Sequence, residues 1–116
     1  MANGEVMYIN YEEGVKRVLN NNRLFVKLLA KFKAETNLDD LGAALAAGDM
    51  EKAQAAAHTV KGVAANLSLT ELYKQALEIE TQIKARSVKE GALETVKNVY
   101  EETVKSVEKV IEQYGG

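Results

Sequence analysis

The chain contains no cysteine, no proline and no tryptophan, and only one histidine. Without cysteine there is no disulfide framework and no thiolate chemistry, which fits a reducing compartment. The absence of proline and the scarcity of aromatics, beside abundant Ala, Leu, Val, Lys and Glu, favour helix throughout and give strands little support. A net charge of −2 with no clustered basic face offers no electrostatic case for binding DNA or RNA. No apolar run approaches the roughly 20 residues needed to span a bilayer, and the N-terminus lacks the basic start and apolar core of a signal peptide. These absences predict a cytoplasmic protein with neither membrane nor nucleic acid as partner.

Chemistry is bounded in the same way. No glycine-rich phosphate loop occurs, nor a strand pattern to carry one, so the chain has no visible means of binding ATP. With one His, no Cys and no Glu-x-x-His, neither a zinc site nor a di-iron bundle site is supported. A serine hydrolase is unsupported as well, for want of the nucleophile-elbow context.

What is present is an ordinary globular composition, 47% hydrophobic and 28% charged, in 116 residues, enough for one domain with one core. Residues 1–9 read as a loosely attached segment, with Val6, Met7, Tyr8 and Ile9 able to tack onto a core edge. Asn10, with Glu13 three residues later, resembles a capping box opening a short helix from Tyr11 to Leu19 that turns Val15, Val18 and Leu19 inward. Asn20, Asn21 and Asn22 break it. From Arg23 to about Lys33, Phe25, Leu28, Leu29 and Phe32 keep helical spacing. Leu38, Leu41 and Leu45 continue it past Thr36 and Asn37, so residues 22–47 are either one kinked helix or two. Gly48 followed by Asp49 is a helix end and a new N-cap, with the next helix running from near Met50 to Leu67. Ser68 with Glu71, and Ser87 with Glu90, have capping-box spacing and predict the starts of the last two helices. Those helices carry stripes of Leu69, Leu72, Ala76, Ile79 and Ile83, and of Leu93, Val96, Tyr100, Thr103, Val107, Val110 and Tyr114. Short links between long amphipathic helices predict an all-α, up-down antiparallel four-helix bundle with one or two short N-terminal helices.

The lone histidine stands out against this scaffold. On a helical wheel Ala53, Ala56, Val60, Val63, Ala64 and Leu67 form the core stripe, and His58 lies about 160° from its centre. Its neighbours on the open face are small, Ala55, Gly62 and Ala65, except for Glu51, Gln54 and Lys61. An idle surface histidine is more usually surrounded by long charged side chains. Gly62 costs about 1 kcal/mol relative to alanine in a helix interior, which suggests that something must come close to the imidazole.

The segment HTVKGVAANLSL, followed by LTELYKQALEIE, resembles the histidine-containing phosphotransfer (HPt) family, whose members read AH-x-x-KG-x-x-x-x-x-G and then a helix ending in an LE pair. The upstream INYEEGVKRVL, LLAKFK and LAAGDMEKAQAAAH also look like the family's leading helices, so nearly all of residues 1–116 is included. Two departures occur: Ser68 stands at the family glycine, where a serine N-cap would mark the same break, and Ile79 replaces the leucine of the LE pair.

The resemblance implies that His58 accepts a phosphoryl group from the aspartyl phosphate of a receiver domain and passes it to another receiver. The partners are then response-regulator receivers or a hybrid sensor kinase, with Mg²⁺ brought by the receiver and no cofactor on this chain. Free imidazole has a pKa near 6.5, so a substantial neutral fraction is nucleophilic at pH 7. Lys61 would supply charge to the phosphoryl oxygens, and Gln54, Ala55, Lys61, Gly62 and Ala65 would line the docking face. Glu80 sits inside an apolar stripe, where a carboxylate needs a partner. It either reaches solvent or a lysine at the stripe's edge, or, as in some family members, it bonds His58 Nδ1. Such a phosphocarrier is not an enzyme and is expected to be monomeric. Two alternatives stay open, the phosphoacceptor domain of a chemotaxis-type kinase and a degenerate adaptor bundle that is never phosphorylated.

Overall fold

A computed structural model of the chain describes residues 7–35 and 38–114. Six helices and no strand occur among them: α1 (Tyr11–Arg17), α2 (Asn22–Glu35), α3 (Asp39–Ala46), α4 (Met50–Asn66), α5 (Thr70–Lys84) and α6 (Ala92–Tyr114). Residues 22–47 therefore hold two helices. Thr36 and Asn37, the expected bend, lie outside the described residues.

Three helix starts, those of α1, α2 and α4, follow short polar side chains, whereas α3 and α5 start after Leu38 and Leu69 with no side-chain cap. Asn10 Oδ1 accepts from the backbone N–H of Glu13 at 3.2 Å, Asn21 Oδ1 from Leu24 at 3.0 Å, and Asp49 Oδ1 from Lys52 at 3.1 Å. Each satisfies a first-turn donor that has no partner within its helix.

Helix ends share one geometry. α1, α3, α4 and α5 each run into a residue with left-handed backbone: Leu19 (φ 57°), Gly48 (71°), Ser68 (57°) and Arg86 (55°). After α4 the Ser68 N–H returns to Ala65 O at 3.3 Å and the Leu69 N–H to Ala64 O at 2.9 Å, closing the last carbonyls of the helix. Only Gly48 adopts this shape without the Cβ cost of about 1–2 kcal/mol.

Three expectations are corrected by these ends. Ser68 is the left-handed residue past α4 rather than the N-cap of α5, which begins at Thr70. Its hydroxyl donates instead to Glu13 Oε1, at 2.7 Å. Ser87 does not cap α6 either, because α6 begins at Ala92. Leu19, expected inward, is the left-handed residue after α1 and is 91% exposed.

Residues 7–9 tack onto the core edge as expected and are held there more firmly than a loose segment would be, by the α4–α5 corner. Met7 O accepts from Thr70 Oγ1 at 2.7 Å, the Asn10 N–H donates to Ser68 O at 2.9 Å, and Ile9 is buried. Gly14 lets the Phe25 ring lie against the α1 backbone, since a Cβ there would overlap that ring.

Packing joins α3 to α4, α4 to α5, α5 to α6 and α6 to α2. Phe25, Leu29 and Phe32 from α2, Leu72, Ile79 and Ile83 from α5, and Val96 and Val107 from α6 fill the core. Each such side chain contributes about 1.5–3 kcal/mol by leaving water. From α4 the fully buried residues are Ala53, Ala57 and Ala64, while Ala56 and Val63 are only half-buried. The buried stripe is thus turned from the one read in the sequence, away from Ala56 and Val63 and toward Ala57, and His58 lies about 140° from its centre. On α6, Tyr114 is exposed but stacks on Tyr11, with ring centroids 4.4 Å apart. Among the described residues no helix is long and apolar enough to cross a membrane.

Candidate functional site

α4 holds His58 outward because Ala57 and Val60, its neighbours in the stripe, are held in the core. The His58 side chain is 69% exposed. The link Leu67–Leu69 is short, and α5 packs along α4 so that Glu80 comes level with the ring. Glu80 occupies the core-facing side of α5 between Ala76 and Ile83 and is 2% exposed. Its Oε2 lies 3.1 Å from His58 Nδ1.

Two lysines complete the group. Lys61, one turn after His58, places Nζ 2.6 Å from Glu80 Oε1 as an ion pair. Lys84, one turn after Glu80, holds its ammonium 3.8 Å from Oε2. Burial by itself raises the Glu80 pKa, but Lys61 and His58 at the carboxylate and the charge of Lys84 outweigh it and hold the group below its ordinary value.

An ionised carboxylate only accepts hydrogen bonds, so the proton of a neutral His58 belongs on Nδ1. That leaves the Nε2 lone pair on the other side of an exposed ring. The arrangement presents an oriented nucleophile outside and keeps its counter-charge inside.

The structure brings His58, Lys61 and Glu80 together, with the Lys61 ammonium engaged by Glu80. Of the other residues singled out in the sequence, Ala55 and Gly62 are exposed on the His58 face, while Gln54 and Ala65 are half-buried beside it. Nothing lies within 4 Å of where a Gly62 Cβ would stand. Two grooves flank this ridge. One, between α3 and α4, is lined by Ala43, Ala47, Ala55, Ala56 and Thr59. The other, at the α4–α5 corner, is lined by Ala64, Ala65, Leu69 and Tyr73.

Sequence reasoning missed three residues here. Lys84 is four positions after Glu80, a spacing that reads as an ordinary surface pair. Tyr73 and Leu77 are large exposed apolar side chains on the Glu80 side of α5, spaced at i, i+4 and i+7. That spacing was the available signal, hidden by the stronger core stripe beside it.

An all-helical fold here presents one exposed imidazole, braced from behind by a buried carboxylate, an arrangement that can do nucleophilic chemistry at the surface. A family model described as the Hpt domain matches residues 27–108, more than two thirds of the chain. The chain belongs to this family. Hpt domains are phosphocarriers rather than enzymes, and in phosphorelays they interact with receiver domains and kinases. No curated protein and no solved structure gives a match.

Proposed function

We propose that this chain carries a phosphoryl group on His58 between receiver-domain aspartates. The Nε2 lone pair attacks phosphorus, the bond from phosphorus to the aspartyl oxygen breaks, and the aspartate leaves as carboxylate. Nδ1 keeps its proton throughout. The ring becomes a cation, and Glu80 offsets that charge through the same hydrogen bond. Transfer onward is the reverse reaction on a second receiver.

The single observation that carries this reading is the 3.1 Å contact between Nδ1 of an exposed ring and a buried carboxylate. It supports an orienting role for Glu80, with Lys61 as the cation nearest the phosphoryl site. Ala55, Gly62 and Ala65, with Gln54 and Lys61 at the rim and Tyr73 and Leu77 on α5, form the low surface on which a receiver settles. The receiver brings the Mg²⁺, and this chain needs no cofactor and has no kinase activity of its own. Residues 1–116 act as one cytoplasmic, monomeric domain, with α2 and α3, α4, α5 and α6 as the up-down bundle.

The test is incubation with a receiver domain carrying phosphoaspartate and, separately, with a histidine-kinase core and ATP. Label moving from the receiver to the wild-type chain and not to His58→Gln supports the reading. Label only from the kinase core makes the chain a kinase's phosphoacceptor domain, and label from neither makes it an adaptor.

A further inference from the structure

The proposed function gives Lys61 two duties. At rest its ammonium is 2.6 Å from Glu80 Oε1, an atom buried from solvent. After phosphorylation the same ammonium is wanted at the phosphoryl oxygens. If it moves there, Oε1 is left buried without a cation, and an uncompensated buried charge is costly.

Lys84 is placed to resolve the conflict. It approaches Glu80 from α5 itself, its side chain is 56% exposed and free to move, and its Nζ is 3.8 Å from the carboxylate, about 1 Å beyond a close charged contact. Within reach of this carboxylate the structure sets Lys61 on Oε1, and His58 and Lys84 on Oε2. We infer that Lys84 is a positioning residue that closes onto Glu80 when Lys61 leaves it for the phosphoryl group, so that one buried carboxylate is handed between two lysines during each transfer. This inference rests on the phosphocarrier reading. At rest Lys61 lies on Glu80 Oε1; in the phosphorylated state the imidazolium stays on Oε2 and Lys84 takes the place that Lys61 leaves, while Lys61 serves the phosphoryl oxygens.

Phosphoramidate serves as the probe because it needs no protein partner. Nε2 attacks its phosphorus, the phosphorus–nitrogen bond breaks, ammonia leaves, and Nδ1 keeps its proton. Rates of phosphohistidine formation are compared for wild type, Lys84→Met, Lys84→Arg and His58→Gln, and lysine Nζ resonances are followed by NMR before and after phosphorylation. The handover predicts labelling about threefold slower in Lys84→Met, the scale of a partly exposed ion pair. It predicts recovery in Lys84→Arg, a loss of stability in Lys84→Met that Lys84→Arg restores and that is smaller than the loss of rate, and a Lys84 Nζ signal that shifts on phosphorylation. Equal rates for wild type and Lys84→Met, no Lys84 shift, or slowing matched by lost stability of the unphosphorylated protein would each overturn it. Wild-type labelling that persists in His58→Gln, or no labelling at all, would instead sink the phosphocarrier reading.

Discussion

Glu80 on α5 and Thr103 on α6 are both buried polar residues at mid-helix, yet they are satisfied in opposite ways. Thr103, fully buried, donates its hydroxyl to Val99 O in its own helix at 2.7 Å. Glu80 takes nearest partners from another helix, His58 and Lys61 of α4, and one of them is an exposed ring. A buried group that its own helix satisfies tells nothing about function, because threonine does this wherever it sits in a helix. A buried charge satisfied across two helices at the surface end of a histidine holds that histidine in one tautomer.

That comparison breaks if the two residues respond alike to loss of their polar atoms. Glu80→Gln is expected to slow labelling of His58 at least about tenfold, the scale seen when a group orienting an imidazole is removed. Thr103→Val should leave the rate unchanged and lower stability by about 1 kcal/mol. Acid sharpens the contrast. The folded-state pKa of Glu80 is lowered below 4.5, so its charge contributes stability that is fully present above the unfolded value and is lost as pH falls through the folded one. The stability of wild type relative to Glu80→Gln should therefore decline as pH is taken below 4.5, while the difference between wild type and Thr103→Val stays flat. A wild-type advantage that grows on acidification would contradict the ion-pair account.

Two glycines extend the comparison from polar atoms to space. Gly14 is filled by Phe25, so Gly14→Ala should cost about 1–3 kcal/mol by forcing that ring to move, read as a fall in the denaturation midpoint. Gly62 faces open space, so Gly62→Gln should gain up to about 1 kcal/mol of helix propensity. It should nevertheless obstruct transfer from a phosphorylated receiver while phosphoramidate still labels the protein. Equal loss with both donors would remove the idea that a partner approaches Gly62 closely.

The smallest effect is expected at Ser68. Glycine there would relieve a left-handed φ of 57° and lose the hydroxyl contact to Glu13. Each is worth about 1 kcal/mol in opposite directions, so Ser68→Gly should change stability little.

The helices and their inward stripes were legible because apolar periodicity reports burial directly. Glu80 was legible for the same reason, as a charge inside such a stripe. Ser68 and Ser87 were misread because serine three residues before glutamate is one pattern with two outcomes, and a positive φ that is marked by glycine at position 48 is carried at 68 by a serine. Leu19 was misread because the periodicity could not show that α1 stops at Arg17. Lys61 could be placed beside His58 by spacing, but its hold on Glu80 needs the level of α5 against α4, which only packing sets.

The most direct measurement concerns which ring nitrogen carries the phosphoryl group. Heteronuclear NMR on the phosphoramidate-treated protein distinguishes the two phosphohistidine isomers. With Nδ1 held by Glu80, the account predicts a single product, phosphorylated at His58 Nε2. A product phosphorylated at Nδ1 would contradict it, because that atom would then have to leave the carboxylate 3.1 Å away.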